Sequence, residues 1–146
     1  VFLASDHAGF ALKAELLDMA RALGHEAVDL GPATFDPGDD YPDYIGPLAH
    51  RIAAEPGSFG IAIGGSGQGE AMSANRIEGA RAAEYYGGDL EVVKVARQHN
   101  DANILSLGAR FISGDEAAAA VQLFLDTPFS GNERHARRIE KLDHEH

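Results

Sequence analysis

The chain has 146 residues, 45% of them hydrophobic, which is enough for one domain with its own core. Its formal net charge of -11 argues against nucleic acid or an anionic membrane surface as a partner, and any phosphate site must be assembled locally from a few cations. Cysteine is absent, so disulfides, thiolate nucleophiles and zinc–thiolate sites are excluded, and no apolar run approaches the ~20 residues needed to span a bilayer. No secretory signal, internal repeat or low-complexity segment is visible, and a cytoplasmic setting is expected.

In chain order, Val1-Phe2-Leu3-Ala4 reads as a first strand that ends at Ser5-Asp6-His7-Ala8-Gly9. Leu12, Leu16, Ala20 and Leu23 then recur at helical spacing, and Gly24 closes that helix. Residues 25–30 read as a second strand and residues 31–42 as a loop of Gly, Pro and Asp. Residues 44–54 can form a helix, stopped by Pro56-Gly57. Phe59-Gly60-Ile61-Ala62-Ile63 is a short apolar run typical of a strand buried in a parallel sheet. A fourth strand is expected at 80–84, a helix at 88–97 and a fifth strand at 104–107. Ser113-Gly114-Asp115-Glu116 has the spacing of a capping box ahead of an alanine-rich helix, and residues 133–146 read as a last, charged helix.

Alternating strands and helices predict an α/β domain: a three-layer α/β/α, doubly wound (Rossmann-like) five-stranded parallel sheet of order 2-1-3-4-5. Its switch point falls between strands one and three, where ligands bind outside the carboxyl ends. Those ends carry Asp6-His7 and Gly64-Gly65-Ser66-Gly67-Gln68-Gly69-Glu70. Element order alone therefore predicts that Asp6, His7, Ser66 and Glu70 share one crevice.

The glycine stretch is neither of the two common nucleotide loops. A phosphate-binding loop needs Lys and then Ser or Thr after its last glycine, where this chain has Glu70 and Ala71. In the dinucleotide spacing the last glycine would fall one place later. What remains is a strand, a turn and a helix start whose N–H groups form an anion cradle from Gly65 to Gly69, with the Ser66 hydroxyl and the Glu70 carboxylate at its rim. That set suits proton transfer beside a developing oxyanion.

Other polar residues have two readings each. Asp6 can cap the helix that follows it, with His7 at the surface, or both can face the crevice. Arg97-Gln98-His99-Asn100-Asp101 can be a basic helix end or part of a site. Arg110 follows the fifth strand. Arg134 and Arg138 lie four apart on one helix face, as a solvated pair or as phosphate ligands. His25, His50, His135, His144 and His146 read as surface or structural residues, His144-Glu145-His146 being a weak metal pattern. The acidic loop 36–40 reads as solvated, without the spacing of a calcium site.

Taken together, these motifs resemble the ribose-5-phosphate isomerase B family of sugar-phosphate isomerases over nearly the whole chain. The markers are Ser5-Asp6-His7-Ala8-Gly9, Asp40-Tyr41-Pro42, the stretch 64–70, Ala74-Asn75-Arg76, Arg97-Gln98-His99-Asn100 and Arg134-His135-Ala136-Arg137-Arg138. The resemblance implies interconversion of ribose 5-phosphate and ribulose 5-phosphate without metal or cofactor. It also implies a homodimer or dimer of dimers whose sites draw on both subunits, the last helix packing at a subunit interface. Many members use a cysteine at the position of Gly64; this chain is similar to the other branch, in which Glu70 is the base. The resemblance assigns ring opening to His99, ring-oxygen contacts to Asp6 and a sugar hydroxyl to Asn100. It assigns the phosphate to His7, Arg110, Arg134 and Arg138. Ser66 would help move a proton between the substrate oxygens, and the N–H groups of Gly65, Ser66, Gly67, Gln68 and Gly69 would stabilise the enediolate. The alternatives are an isomerase of a six-carbon sugar phosphate (allose or galactose 6-phosphate) and a non-catalytic sugar-phosphate-binding module. A signalling receiver is a weaker third, because it would want a phosphorylatable Asp where Gly64-Gly65 stands.

Overall fold

The structure, a computed structural model, describes residues 1–144. Strands β1 (Phe2–Ser5), β2 (Val28–Asp29), β3 (Gly60–Gly64), β4 (Ala82–Tyr85) and β5 (Ile104–Gly108) form one parallel sheet. Helices α1 (Phe10–Ala22), α2 (Pro42–Ala54), α3 (Gln68–Asn75), α4 (Glu91–Asn100), α5 (Gly114–Asp126) and α6 (Glu133–Asp143) complete the chain. None of these helices is long and apolar enough to cross a membrane.

Side-chain alternation along the strands makes two cores. Leu3, Ile61, Ile63, Leu105 and Leu107 pack against α1, α4 and α5. Phe2, Ala4, Ala62 and Ile104 face α2 and α3. Every residue of β1, β3 and β5 is buried, as strands covered on both faces require.

The strand order is 2-1-3-5-4, which corrects the expected 2-1-3-4-5. The reason is burial. Ile104-Leu105-Ser106-Leu107-Gly108 is buried throughout and belongs inside the sheet, whereas β4 carries Glu84 and is half-buried along most of its length, as an edge strand can be. The chain leaves β3, skips a place to form β4, and returns to insert β5. The switch point between β1 and β3 is unaffected, because it depends only on α1 and α2 lying on opposite faces.

Several boundaries shift for local reasons. Helix α2 starts at Pro42, where proline's missing N–H costs nothing. Helix α4 starts only after Gly87 and Gly88, whose φ values of 118° and 91° are not helical, and it runs on to Asn100. The expected capping box at Ser113 and Glu116 is present. The sequence-based last helix, 133–146, is helical to Asp143, and Glu145 and His146 lie outside the described residues.

Candidate active site

The loop between β3 and α3 is held by what surrounds it. Gly67 caps α3 in the left-handed region at φ 81° and supplies no capping side chain. The first-turn amides of α3 thus have no intrahelical acceptor. The Ser66 hydroxyl accepts from Gln68 N–H at 3.2 Å, so one of the five expected amides is already engaged. Beneath the loop, the Ser106 hydroxyl donates to the Gly67 carbonyl at 2.7 Å. At its sides stand Arg110, whose guanidinium lies 3.1 Å from where a Gly65 Cβ would be, and Tyr41, whose ring lies 2.5 Å from where a Gly69 Cβ would be.

Glu70, in the first turn of α3, folds back over the end of β3. A Cβ on Gly64 would fall inside its carboxyl group. Glu70 is buried, 3% exposed, with Asp6 at the end of β1 beside it. Its pKa is raised, chiefly by burial; the negative charges of Asp6 and Glu84 push the same way, and its own backbone amide pulls against them. The helix start favours the anion, and burial outweighs it. Asp6 caps the short 3-10 turn His7–Gly9, its Oδ1 accepting from the amides of Ala8 (2.9 Å) and Gly9 (3.2 Å), and its buried side chain stands beside Glu70.

Gly64→Ala is accordingly expected to disturb the base and spare the fold. Only the end of a flexible side chain has to move, so stability should drop by less than ~1.5 kcal/mol in urea denaturation. The displaced carboxylate should lower kcat by about tenfold or more.

Two residues of this region carry no signal in the sequence. Glu84 lies opposite Ser106, which lies opposite Ala62, so its side chain projects to the α3 face. One of its oxygens is buried without a hydrogen-bond partner among the described residues, and burial raises its pKa. Asp39 comes from the loop expected to be solvated. Its side chain is 4% exposed, and it binds His7 through both ring and backbone. His7 lies near enough to Arg110 for that cation to oppose its protonation.

The remaining expected residues are elsewhere in the chain. Helix α4 runs antiparallel to the strands, so His99 and Asn100 at its end lie by the strand starts, where Asn103 O accepts from Gly60 N–H at 2.8 Å. That edge is one strand length, ~13 Å, from Gly64. There His99, Asn100 and Arg138 line a cavity of about 380 Å³ with His135, Ile139 and Leu142. The His99 and His135 rings lie 4.3 Å apart, so His135 packs against His99 in this cluster. Its pKa is lowered by burial and then by the charges of His99, Arg138 and Arg134. Arg137 pairs with Glu133 at 3.6 Å. Arg97 is structural: it is buried, donates to the carbonyls of Thr127 and Ala102, and lies over the Phe59 ring.

One chain therefore unites Asp6, His7, Gly65–Gly69, Glu70 and Arg110 at the switch point, and holds His99, Asn100 and Arg138 at the opposite edge. The fold and the crevice together define a doubly wound α/β domain with a buried carboxyl at its switch point. The profile of the Ribose/Galactose Isomerase family matches residues 1–142, and the chain belongs to that family of aldose–ketose isomerases. It is 42% identical over 142 residues to a ribose-5-phosphate isomerase B of Mycobacterium tuberculosis, covering 97% of this chain and 86% of that one. The crystal structure of ribose-5-phosphate isomerase B from Mycoplasma genitalium with bound ribulose 5-phosphate superposes with a TM-score of 0.91 at 39% identity, over 97% of this chain and 91% of that one. The type B ribose 5-phosphate isomerase of Trypanosoma brucei gives 0.92 at 35% identity, over 99% and 97%.

Proposed function

We propose that this chain interconverts ribose 5-phosphate and ribulose 5-phosphate through an enediolate, with Glu70 as the base and a second copy of the chain completing each site. The observation that carries the reading is the Glu70 carboxyl: buried, beside Asp6, and occupying the space a side chain at position 64 would need. A carboxyl kept out of water at a helix start, with the first-turn amides around it, suits removal of a proton next to a carbonyl.

In the ring-opened aldose, Glu70 takes the C2 proton and the electron pair moves toward O1. The amides at the start of α3 and the Ser66 hydroxyl stabilise the enediolate. Glu70 returns the proton to C1 while the O2 proton passes to O1, which leaves the ketose. His99 of a second copy opens the furanose ring, and Asn100 of that copy holds a sugar hydroxyl. His7 and Arg110 of one chain and Arg134 and Arg138 of the other bind the phosphate; the planar guanidinium fork matches phosphate oxygens. The single domain of residues 1–146 thus acts as a homodimer or dimer of dimers in which the basic α6 of one copy reaches the crevice of the next. Helix α6 suits this, since it has no buried residue of its own and exposes Leu142. Relatives that are metabolic enzymes support a cytoplasmic setting.

The deciding experiment is proton NMR of ribose 5-phosphate with the protein in D₂O and EDTA. Ketose formation with deuterium entering the sugar is expected. Exchange only with allose or galactose 6-phosphate would move the assignment to a six-carbon substrate, and no exchange with any of them would leave a binding module. With Glu70 as the base, its raised pKa is expected to set the acid limb of kcat/KM above the ordinary glutamate value of 4.5, because the base works only when ionised. Glu84→Gln removes a negative charge behind it and is expected to move that limb to lower pH. An unmoved limb would show that Glu84 does not tune the base.

A further inference from the structure

We propose that Asp39 is a positioning residue for the phosphate end of the substrate, holding the His7 imidazole doubly protonated and turned so that its outer N–H meets the anion. This rests on the sugar-phosphate reading above. A single oxygen, Asp39 Oδ1, accepts from the His7 ring at Nδ1 (2.7 Å) and from the His7 backbone amide (3.0 Å). Two donors from one residue on one acceptor fix the ring's orientation. The carboxylate is 4% exposed and the imidazole side chain 30%, so the acid lies inside and the ring faces outward. Nε2, across the ring from Nδ1, points away from Asp39. The Phe35 ring stands edge-on to His7 at 6.5 Å, and Phe10 backs Phe35 at 5.9 Å. Asp39 is itself held by a small turn, in which Asp36 accepts from Gly38 N–H through its side chain and from Asp39 N–H through its carbonyl.

An anchor for the loop would not need a charge. The second oxygen, Oδ2, is buried with no hydrogen-bond partner among the described residues, an arrangement that costs free energy. What a carboxylate adds over an amide is its effect on the imidazole. Neutral His7 donating through Nδ1 to Asp39 would turn an Nε2 lone pair toward the phosphate oxygens, and only the cation places a donor there. The groups that face His7 are Asp39 from the loop, Asp6 from the end of β1 and Arg110 from beyond β5. The hydrogen bond to Asp39 is the largest influence and raises the His7 pKa; loss of water around the ring pulls against it, the charges of Asp6 and Asp39 add to it, and Arg110 opposes it. Asp39 therefore extends the pH range over which the phosphate meets a cation.

The test is Asp39→Asn, isosteric and still able to accept from the ring and the amide. At a pH between the His7 midpoints of the two proteins, KM for ribose 5-phosphate is expected to rise about five- to tenfold with kcat within about twofold. At a pH below both midpoints, where the imidazole is protonated in both proteins, the KM ratio should shrink to about twofold or less. The His7 titration midpoint, followed by ¹H–¹⁵N NMR, should fall in the variant. An equal KM ratio at both pH values would make Asp39 a loop anchor only, and an unchanged KM would remove it from the site. If the wild-type protein does not turn over ribose 5-phosphate, the sugar-phosphate reading fails, but NMR with inorganic phosphate still decides the role of Asp39. Phosphate should raise the His7 midpoint in the wild type more than in the variant, and equal effects or none would overturn the proposal.

Discussion

Replacing Glu70 by glutamine is expected to lower kcat at least about 10²-fold while leaving KM for the sugar phosphate close to that of the wild type. Glutamine keeps the shape of the side chain over Gly64 and loses the ability to accept a carbon-bound proton. In the proposed mechanism the substrate is held elsewhere, by the loop amides, His7 and the arginines, so binding should survive. A variant retaining more than about a tenth of wild-type kcat would end the assignment of Glu70 as the base. The same substitution has an independent signature in stability. Because its pKa is raised, folded Glu70 binds its proton more tightly than the unfolded chain does. The stability this group contributes is present while it is protonated and is lost as pH rises through the raised value. Glutamine cannot suffer that loss. The variant should therefore melt higher than the wild type at pH 8 and close to it at pH 4. Loss of activity with a gain in stability would separate removal of a base from damage to the fold.

The second large effect concerns the division of the site. Glu70 and His99 lie at opposite edges of the sheet in one chain, so Glu70→Gln and His99→Asn are each expected to be nearly inactive. A heterodimer carrying one substitution on each subunit should recover about half of the wild-type rate, because one of its two sites then contains neither change. The heterodimer can be purified from co-expression with two affinity tags. Recovery is the expected result. An inactive heterodimer would mean that Glu70 and His99 serve the same site from one chain, and an active His99→Asn homodimer would take His99 out of ring opening.

The apolar run before Gly64, the glycine turn and the helix start were legible as a strand-to-helix anion cradle, because strand burial and turn chemistry are local properties. The order of elements placed Asp6, His7 and Glu70 together, since a doubly wound sheet brings the ends of its first and third strands side by side. The order of strands four and five was not reached by counting elements, although the burial needed to place β5 inside was written in Ile104-Leu105-Ser106-Leu107.

Three features were decided only by tertiary structure. Asp39 looks like any loop aspartate until the loop crosses the end of β1 and brings it 2.7 Å from His7. Glu84 acts on Glu70 only because β4 pairs with β5 and turns that side chain toward α3. The ionisation of Glu70 depends on whether burial or the helix start prevails, and burial does because the carboxyl lies over a glycine at the closed end of β3. Sequence by itself determines what repeats along the chain: periodicity, turns and the order of elements. Contacts between residues distant in sequence, and the removal of charge from water that follows, come into being only when the sheet closes and its layers pack.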